Sequence, residues 1–241
     1  SLYSHEFAVM VSQVKHYQLA LGDYKKHPSK SELPYRTVMY KKLLEDGSFK
    51  RADEGMDYMT HQFQSFKKED VGIALIARLK SKRLPLKVLK PIHDTILIDF
   101  LYKRLNTSKK VKDTFLSTSN LNEDAPLAEK GKEFGHKIYR GHAVSVIDRM
   151  LELALQEEWG GIFRVTGDNP FTDVGLIDTM VEMFVEHDLD YVRVNNVPFG
   201  VSAELFSTKY LWELYLKMDN PMHSEYLTLF ILQDENAKKG C

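Results

Sequence analysis

The sequence has almost no cysteine and no long hydrophobic run, and neither sign of charge dominates it. The only cysteine in 241 residues is Cys241, so an intrachain disulfide is excluded and a reducing compartment is expected. No apolar run approaches the roughly 20 residues that a membrane-spanning helix needs. The first residues also lack the pattern of a signal peptide. We therefore expect a cytoplasmic protein without a membrane segment.

The balance of charge argues against a general nucleic-acid binder. The chain has 33 lysines and arginines against 34 aspartates and glutamates. Proteins that neutralise nucleic-acid phosphates carry a basic excess, which is missing here. The hydrophobic content of 43% is ordinary for a globular protein, so the chain is able to bury a real core.

The first 70 residues differ in pattern from the rest. Residues 5–21 carry apolar side chains at helical spacing, and Gly22 is a plausible stop signal. The polar stretch from Asp23 to Asp70 shows little periodicity, so we expect an irregular arm with a short strand at Thr37–Tyr40. Residues 1–70 are accordingly predicted to be an N-terminal extension of a domain that spans 71–241.

From Val71 onward, short apolar strands alternate with longer helices. Strands are predicted at Val71–Ala77, Thr114–Thr118, Lys137–Tyr139, Gly161–Thr166 and Asp190–Val194. Helices are predicted at His93–Asn106, Pro126–Phe134, His142–Glu158, Gly175–His187, Thr208–Met218 and Ser224–Asn236. This order indicates an α/β fold of three layers, with a mainly parallel twisted sheet covered on both faces. Ligands of such sheets bind beyond the carboxyl ends of the strands.

A basic loop, Arg78–Lys87, follows the first of these strands. It places five cations within ten residues where a ligand is expected. Arginine forks and lysine point charges are suited to the negative charge that develops when a nucleotidyl group is transferred. The alternative is a solvated basic loop, and the position after a core strand favours the functional interpretation.

The segment Thr166-Gly167-Asp168-Asn169-Pro170 ends another strand. Its proline turns the chain away and leaves Asp168 at the edge of the sheet. A carboxylate there suits Mg²⁺, which binds through one or two carboxylates together with substrate phosphates. The alternative is a turn or helix-cap aspartate.

Two further segments are weaker candidates. Thr118 and Ser119 end the second strand, where polar residues more often form turns. Arg140 precedes Gly141, which we expect to open a helix whose amino terminus favours anions. The pair Asp148-Arg149 in that helix has two alternative interpretations, a contact with a nucleotide or an ion pair.

The basic loop resembles the signature of the cytidylyltransferases that make CMP-activated sugars. These are the CMP-Kdo and CMP-sialate synthetases, with the closest likeness in the spore-coat polysaccharide branch. The matching residues are Ala77, Arg78, Ser81, Arg83, Leu84, Pro85 and Lys87. Lys80 and Leu86 stand where the family has glycine. The resemblance covers roughly residues 71–233 and implies a fold like that of the nucleotide-diphospho-sugar transferases.

The resemblance implies CTP and an acidic sugar as substrates, Mg²⁺ as cofactor and a homodimer. It implies catalytic roles for Arg78, Lys87 and Asp168. It implies nucleotide binding by Ala77, Arg78, Ser81, Arg83, Lys87, Thr118, Ser119, Arg140 and Gly167. Asp168 would be a metal ligand, and Glu204 would substitute for the second aspartate of the family, whose position is Ser202 here. Tyr226 occupies the position of a family histidine.

Residues 1 to about 66 resemble the C-terminal part of a sialic acid synthase. The resemblance is carried by Glu6-Phe7, Met10-Val11, Ala20-Leu21-Gly22, Ser31-Glu32 and Arg36. The catalytic barrel of that family is absent, so we expect a role in packing or in a dimer contact.

Two other functions remain as alternatives to an active CMP-sugar synthetase. One is an impaired relative that binds nucleotide or sugar or serves in assembly, which the departures at Lys80, Leu86, Ser202 and Tyr226 favour. The other is a metal-dependent glycosyltransferase. It ranks last because the segment Gly167-Asp168-Asn169 lacks the two aspartates, one residue apart, that such enzymes commonly use.

Overall fold

The computed structural model describes residues 52–80, 86–218 and 227–241. A seven-stranded sheet forms its centre. The strands are β1 (Val71–Ile76), β4 (Asp113–Ser119), β5 (Lys137–Gly141), β6 (Gly161–Thr166), β7 (Tyr191–Arg193), β8 (Glu204–Ser207) and β9 (Lys239–Gly240). A small hairpin of β2 (Pro91–Ile92) and β3 (Thr95–Ile96) stands apart from this sheet.

The sheet is mainly parallel, as the alternating pattern predicted. Its strand order is β5-β4-β1-β6-β8-β7-β9. β5, β4, β1 and β6 run parallel, and only β8 is antiparallel to its neighbours. In the register of β1 and β6, Ile76 lies beside Thr166, so the loops after both strands leave the same edge next to each other.

Seven helices in the described residues cover the two faces. They are α1 (Ala52–Ser65), α2 (Leu97–Leu105), α3 (Ala125–Glu133), α4 (Val146–Glu157), α5 (Val174–Glu186), α6 (Thr208–Lys217) and α7 (Leu227–Gln233). Because side chains alternate along a strand, β1 sends Ala74 into one core and Ile73 and Leu75 into the other. The first core packs against α1, α4, α6 and α7, and the second against α2, α3 and α5. The three-layer α/β prediction is therefore confirmed.

The prediction of an irregular arm is wrong for residues 52–65, which form α1. Phe63 of α1 packs on Trp212, with ring centroids 5.5 Å apart, and the Trp212 indole donates a hydrogen bond of 2.8 Å to the Thr60 hydroxyl. Few apolar residues mark this helix, so its stability comes from the contact with α6, which a local pattern does not contain.

The sequence did not predict β8. Two other local expectations need correction. The start of the helix expected from His93 forms the β2–β3 hairpin, and α2 begins at Leu97. Gly141 ends β5 and does not open a helix. α4 begins at Val146, and its cap is Ser145, whose hydroxyl accepts a 3.3 Å hydrogen bond from the Asp148 main-chain N–H.

The predicted helix at 5–21, the strand at Thr37–Tyr40 and the residues resembling a sialic acid synthase lie outside the described residues. The resemblance and the domain boundary near residue 70 stay predictions. In the part of the chain that the structure covers, no helix has the length and apolar character to cross a membrane.

Candidate functional site

A cleft of about 510 Å³ opens at the carboxyl ends of β1 and β6. We call it the Asp168 cleft. It is lined by Ile76, Ala77, Arg78, Lys80, Lys87, Val88, Val144, Val146, Arg149, Thr166, Gly167 and Asp168. The structure thus brings the described residues of the basic loop, 78–80 and 86–87, close to the Gly-Asp segment, at the edge of the sheet where the fold predicted a ligand.

The start of the basic loop is fixed by β4 and the turn that follows it. The Ala77 N–H donates to the Ser117 carbonyl at 3.1 Å, and the Leu79 N–H donates to a carboxylate oxygen of Asp124 at 2.7 Å. Asp124 is fully buried, and its other oxygen accepts a hydrogen bond from the Ser119 hydroxyl. Arg78 lies 3.6 Å from Asp124, which holds the guanidinium at the mouth of the cleft. Asp124 is therefore a positioning residue for the loop.

The end of the basic loop turns sharply at Leu86. Its φ of 54° lies in the left-handed region, where a side chain is disfavoured and glycine is not. The resemblance predicts glycine at this position, and Leu86 adopts a backbone conformation that glycine would take without strain. Lys87 follows, and its ammonium donates a hydrogen bond to the Asp168 carboxylate.

Gly167 lets the loop after β6 pass close to β1. Its N–H donates to the Ile76 carbonyl at 2.8 Å, and a Cβ at this position would lie 2.9 Å from both Ala77 and Ile98. Asp168 then projects into the cleft. Burial raises the pKa of the Asp168 carboxyl, but the hydrogen bond and charge of Lys87 outweigh it and hold the pKa below its usual value.

Arg149, for which the sequence left a nucleotide contact and an ion pair open, lines the same cleft. The side chain is only 1% exposed, and its Nε and Nη1 have no hydrogen-bond partner in the described structure. Burial, followed by the charge of Arg78, lowers the pKa of Arg149 to about 10. A buried cation with open donors is costly unless an anion completes it. The cleft therefore has the chemistry of a binding site for a polyanion.

Asp148 does not form the ion pair with Arg149 that the sequence left open. None of the ion pairs among the described residues joins them; instead, the Tyr215 hydroxyl donates to Asp148 at 2.8 Å. The other carboxylate oxygen is buried without a partner in the described residues. Burial raises the pKa of Asp148 to about 6. The local signal for Arg149 was its place near the start of the helix after β5, but only the packing of α4 over the cleft shows which way it faces.

Three predicted nucleotide-binding residues do not line the cleft. Thr118 is fully buried, and the Ser119 hydroxyl is bonded to Asp124. Arg140 donates to the carbonyls of Ser119 at 3.1 Å and Leu121 at 2.7 Å. Ser119 and Arg140 hold the turn after β4, and the nucleotide contacts of all three residues stay predictions. Ser81, Arg83 and Tyr226 lie outside the described residues.

Glu204 does not line the Asp168 cleft either. It forms an ion pair with Arg164, whose Nε donates at 2.9 Å, and accepts hydrogen bonds of 2.6 Å from the hydroxyls of Tyr191 and Thr228. These four residues are called the Glu204 cluster. Burial raises the pKa of Glu204, but Arg164 and the hydroxyls outweigh it and lower that pKa. As a metal ligand, Glu204 would first have to give up Arg164, so that role stays a prediction.

The cleft offers a metal ion one protein carboxylate. Asp168 is the only acidic side chain among its described lining residues, and no group of three His, Cys, Asp or Glu in the covered ranges is placed to hold a metal. A single carboxylate fits Mg²⁺ that is bound largely by phosphate oxygens and water, and it does not fit a site built wholly from protein ligands.

Most of the residues that form the sheet match the model of one protein family. A family model described as cytidylyltransferase matches residues 73–236. The protein MJ1063 of Methanocaldococcus jannaschii is 33% identical over 169 residues, which are 70% of this chain and 69% of that protein. The spore coat polysaccharide biosynthesis protein SpsF of Bacillus subtilis is 30% identical over 167 residues, or 67% and 70% of the two chains. An 8-amino-3,8-dideoxy-manno-octulosonate cytidylyltransferase of Shewanella amazonensis is 26% identical, covering 66% and 64%.

Solved structures agree with this likeness. A cytidylyltransferase from Leptospira borgpetersenii superposes with a TM-score of 0.66 at 29% identity, covering 71% of this chain and 74% of that one. A CMP:2-keto-3-deoxy-manno-octonic acid synthetase complexed with CTP superposes with a TM-score of 0.59, covering 71% and 89%. At 17% identity the second likeness supports the fold alone.

Proposed function

This chain belongs to the cytidylyltransferase family, and we propose that it transfers a cytidylyl group from CTP to a sugar acid and releases pyrophosphate. The observation that carries the proposal is the Asp168 cleft. Four cations, Arg78, Lys80, Lys87 and Arg149, line it against one acid, and two donors of Arg149 are unpaired within the described chain. A triphosphate supplies the negative charge that this arrangement lacks.

The reaction needs one bond to form and one to break. A hydroxyl oxygen of the sugar acid attacks the α-phosphorus of CTP, the bond from that phosphorus to the bridging oxygen breaks, and the hydroxyl proton passes to water. Negative charge grows on the pyrophosphate that leaves. Arg78, Arg149 and Lys87 act by holding the phosphates in place and by offsetting this charge, which is the main contribution that a protein makes to such transfers.

Asp168 is the residue that would hold Mg²⁺ in this cleft. The bound ion would add positive charge at the phosphate oxygens, which fits a donor set of one carboxylate. Because Lys87 is paired with Asp168 in this structure, the carboxylate becomes available when the lysine turns to the phosphates. Nucleotide and metal are therefore expected to bind together.

The acceptor is proposed from the names of the relatives. The Shewanella amazonensis relative is an octulosonate cytidylyltransferase, and an octulosonate is a sugar acid. The homodimer and the cytoplasmic location expected from the sequence stay predictions, and analytical ultracentrifugation tests the first of them.

The test is calorimetric titration of the protein with CTP, UTP, ATP and GTP in the presence of Mg²⁺, followed by pyrophosphate release with a panel of sugar acids. We expect CTP to bind most tightly and at least one acid to stimulate release. Equal binding of the four nucleotides, or none, contradicts the assignment.

A second candidate is a family member that binds nucleotide but turns over slowly. It is favoured by the single carboxylate of the cleft and by Ser202, which stands where the family has an acid and whose hydroxyl donates to the Ala203 carbonyl at 2.9 Å. Turnover that appears only in Ser202→Asp supports this candidate. Turnover in the wild type at a rate that Ser202→Asp does not raise excludes it.

A further inference from the structure

A buried aspartate, Asp99, lies in the first turn of α2 and takes no part in the proposed reaction. Its carboxylate accepts hydrogen bonds from the Thr95 hydroxyl, from the Lys103 ammonium at 2.8 Å and from His136 Nε2 at 2.9 Å. We call these four residues the Asp99 anchor. A buried carboxylate with three donors holds the elements that carry them in one arrangement, because the loss of a donor leaves the carboxylate incompletely satisfied.

His136 enters the anchor as a neutral imidazole. Its ring stacks on Tyr102 with centroids 3.8 Å apart, and its Nδ1 is buried without a hydrogen-bond partner among the residues described. A charged imidazole would need an acceptor at both nitrogens, so the neutral form with its hydrogen on Nε2 fits this site. Burial accordingly lowers the pKa of His136, although the hydrogen bond with Asp99 opposes this shift. His136 directly precedes β5, so the ring ties the start of α2 to the sheet.

The anchor continues into the β2–β3 hairpin, which follows a short 3₁₀ helix at Lys87–Leu89. Thr95 belongs to β3 of this hairpin. The Leu97 N–H at the start of α2 donates to the Lys90 carbonyl at 2.9 Å, and the Lys90 N–H donates to the Lys87 carbonyl at 3.1 Å. Two successive main-chain hydrogen bonds therefore connect the first turn of α2 with the backbone of Lys87.

The first turn of α2 also packs against residues next to the Lys87–Asp168 ion pair. Val88, which is 1% exposed, lies in the same core as Ile98 of α2. Ile98 lies close to Gly167 as well, since a Cβ added to that glycine would be 2.9 Å from the Ile98 Cδ1. The position of α2 therefore affects both the lysine and the aspartate of the cleft.

We propose that the Asp99 anchor positions Lys87 for the phosphates of the nucleotide, which rests on the proposed binding of CTP in the Asp168 cleft. The members of the anchor do not line the cleft, so they are positioning residues. When Lys87 turns from Asp168 to the phosphates, its ammonium reaches them only if its backbone stays in place. A 3₁₀ helix of three residues has few hydrogen bonds of its own, and the anchor supplies the missing restraint.

The test combines Thr95→Val with Lys87→Gln in a double-mutant cycle. Thr95→Val removes the hydroxyl that joins the hairpin to Asp99 and keeps the shape of the side chain. Binding of cytidine 5′-(α,β-methylene)triphosphate, measured by calorimetric titration, should weaken about 2- to 30-fold in Thr95→Val. In the Lys87→Gln background the same change should have no further effect, because the ammonium that the anchor positions is gone. Thr95→Ser, which keeps the hydroxyl, should bind as wild type.

His136→Phe repeats the comparison on the other side of the anchor. Phenylalanine keeps a ring for the stack on Tyr102 and removes the donor to Asp99, whereas glutamine keeps a donor. We expect weaker binding of the analogue in His136→Phe and binding nearer to that of wild type in His136→Gln. The matched control is Ser108→Ala, which removes a hydrogen bond to Asp178 of α5 just beyond the other end of α2. It should bind the analogue as wild type.

Hydrogen exchange gives a readout that needs no nucleotide. The N–H groups of Lys90 and Leu97 should exchange faster in Thr95→Val than in wild type, while those of β6 should not change. Unchanged exchange at both groups, additive effects of Thr95→Val and Lys87→Gln, or wild-type binding in Thr95→Val and His136→Phe overturns the inference. Failure of wild type to bind the analogue contradicts the proposed function, and the exchange rates then still decide whether the anchor holds the Lys87 segment.

Discussion

The Asp168 cleft and the Glu204 cluster both place carboxylates and arginines near the end of β6, yet they differ in whether the charged groups have hydrogen-bond partners. In the Glu204 cluster, Arg164 and two hydroxyls satisfy the carboxylate. In the Asp168 cleft, Lys87 pairs with Asp168, while Arg149 keeps two buried nitrogens without a partner in the described residues. Among the residues that the structure describes, the charges of the Glu204 cluster are all paired and those of the Asp168 cleft are not.

This difference separates a structural role from a binding role. A buried charge that is fully paired stabilises one arrangement of the elements that carry it, since loss of either partner leaves the other uncompensated. A buried charge with open donors lowers stability until a ligand supplies the missing acceptor. By this criterion the Glu204 cluster joins β6, β7, β8 and α7, and the Asp168 cleft is built for an anion. The following predictions test that distinction.

The largest effect is expected from Asp168→Asn. Turnover, measured as pyrophosphate release with the best acid of the panel, should fall about 100- to 1000-fold. The affinity for CTP measured in EDTA should not fall, because the change removes the only negative charge among the described residues that line the cleft. The control is Asp57→Asn on the exposed face of α1. Equal turnover in Asp168→Asn and wild type contradicts the role of Asp168.

The next effect concerns the fold and not the chemistry. Glu204→Gln leaves Arg164 without its charge partner, so the free energy of unfolding in urea should fall by about 3 kcal/mol. The double variant Glu204→Gln/Arg164→Gln should recover part of this loss, which a double-mutant cycle measures. If instead Glu204→Gln keeps wild-type stability and loses turnover, then Glu204 acts in catalysis and the comparison fails.

Much of the fold could be predicted from the sequence because its strands are short apolar runs between helices. The strand predicted at Gly161–Thr166 has the same bounds as β6. The rule that ligands bind at the carboxyl ends of parallel strands also predicted that the basic loop and Asp168 lie at one edge of the sheet. β8 was missed because four residues with an acid at the start carry little pattern, and pairing with β6 and β7 determines them.

The partners of individual side chains could not be predicted in the same way. The sequence predicted that Glu204 substitutes for the family aspartate whose position is Ser202 here, but Thr228, on a helix near the end of the chain, donates a hydrogen bond to one of its oxygens. Arg149 matched a family pair, but its open donors depend on the burial of α4 over the cleft. The partners of a charged side chain are residues far away along the sequence, and local spacing does not identify them.

A smaller effect is expected from Arg149→Met. Binding of CTP should weaken about 10- to 100-fold, because hydrogen bonds to charged groups are lost. The free energy of unfolding should stay the same or rise, because a buried guanidinium with open donors is removed. Arg104→Met is the matched control: its Nε is also buried without a partner in the described residues, but it does not line the cleft, so CTP binding should be unchanged. Weaker CTP binding in both variants, or in neither, contradicts the role of Arg149.

The smallest effect separates two buried aspartates by the sign of their pH dependence. Burial raises the pKa of Asp148 to about 6, so the folded protein disfavours its ionised form, and stability is lost as pH rises from about 4 to 6. Asp148→Asn should remove this loss. Its free energy of unfolding in urea, relative to that of wild type, should therefore be about 2 kcal/mol higher at pH 7.5 than at pH 4. Asp99 should behave oppositely. Burial raises its pKa too, but hydrogen bonds from Lys103, Thr95 and His136 outweigh it and lower that pKa. Asp99→Asn should therefore lose stability relative to wild type as the pH rises toward about 4, the range in which Asp99 ionises more readily in the folded than in the unfolded protein. The same sign for both variants contradicts the assignment.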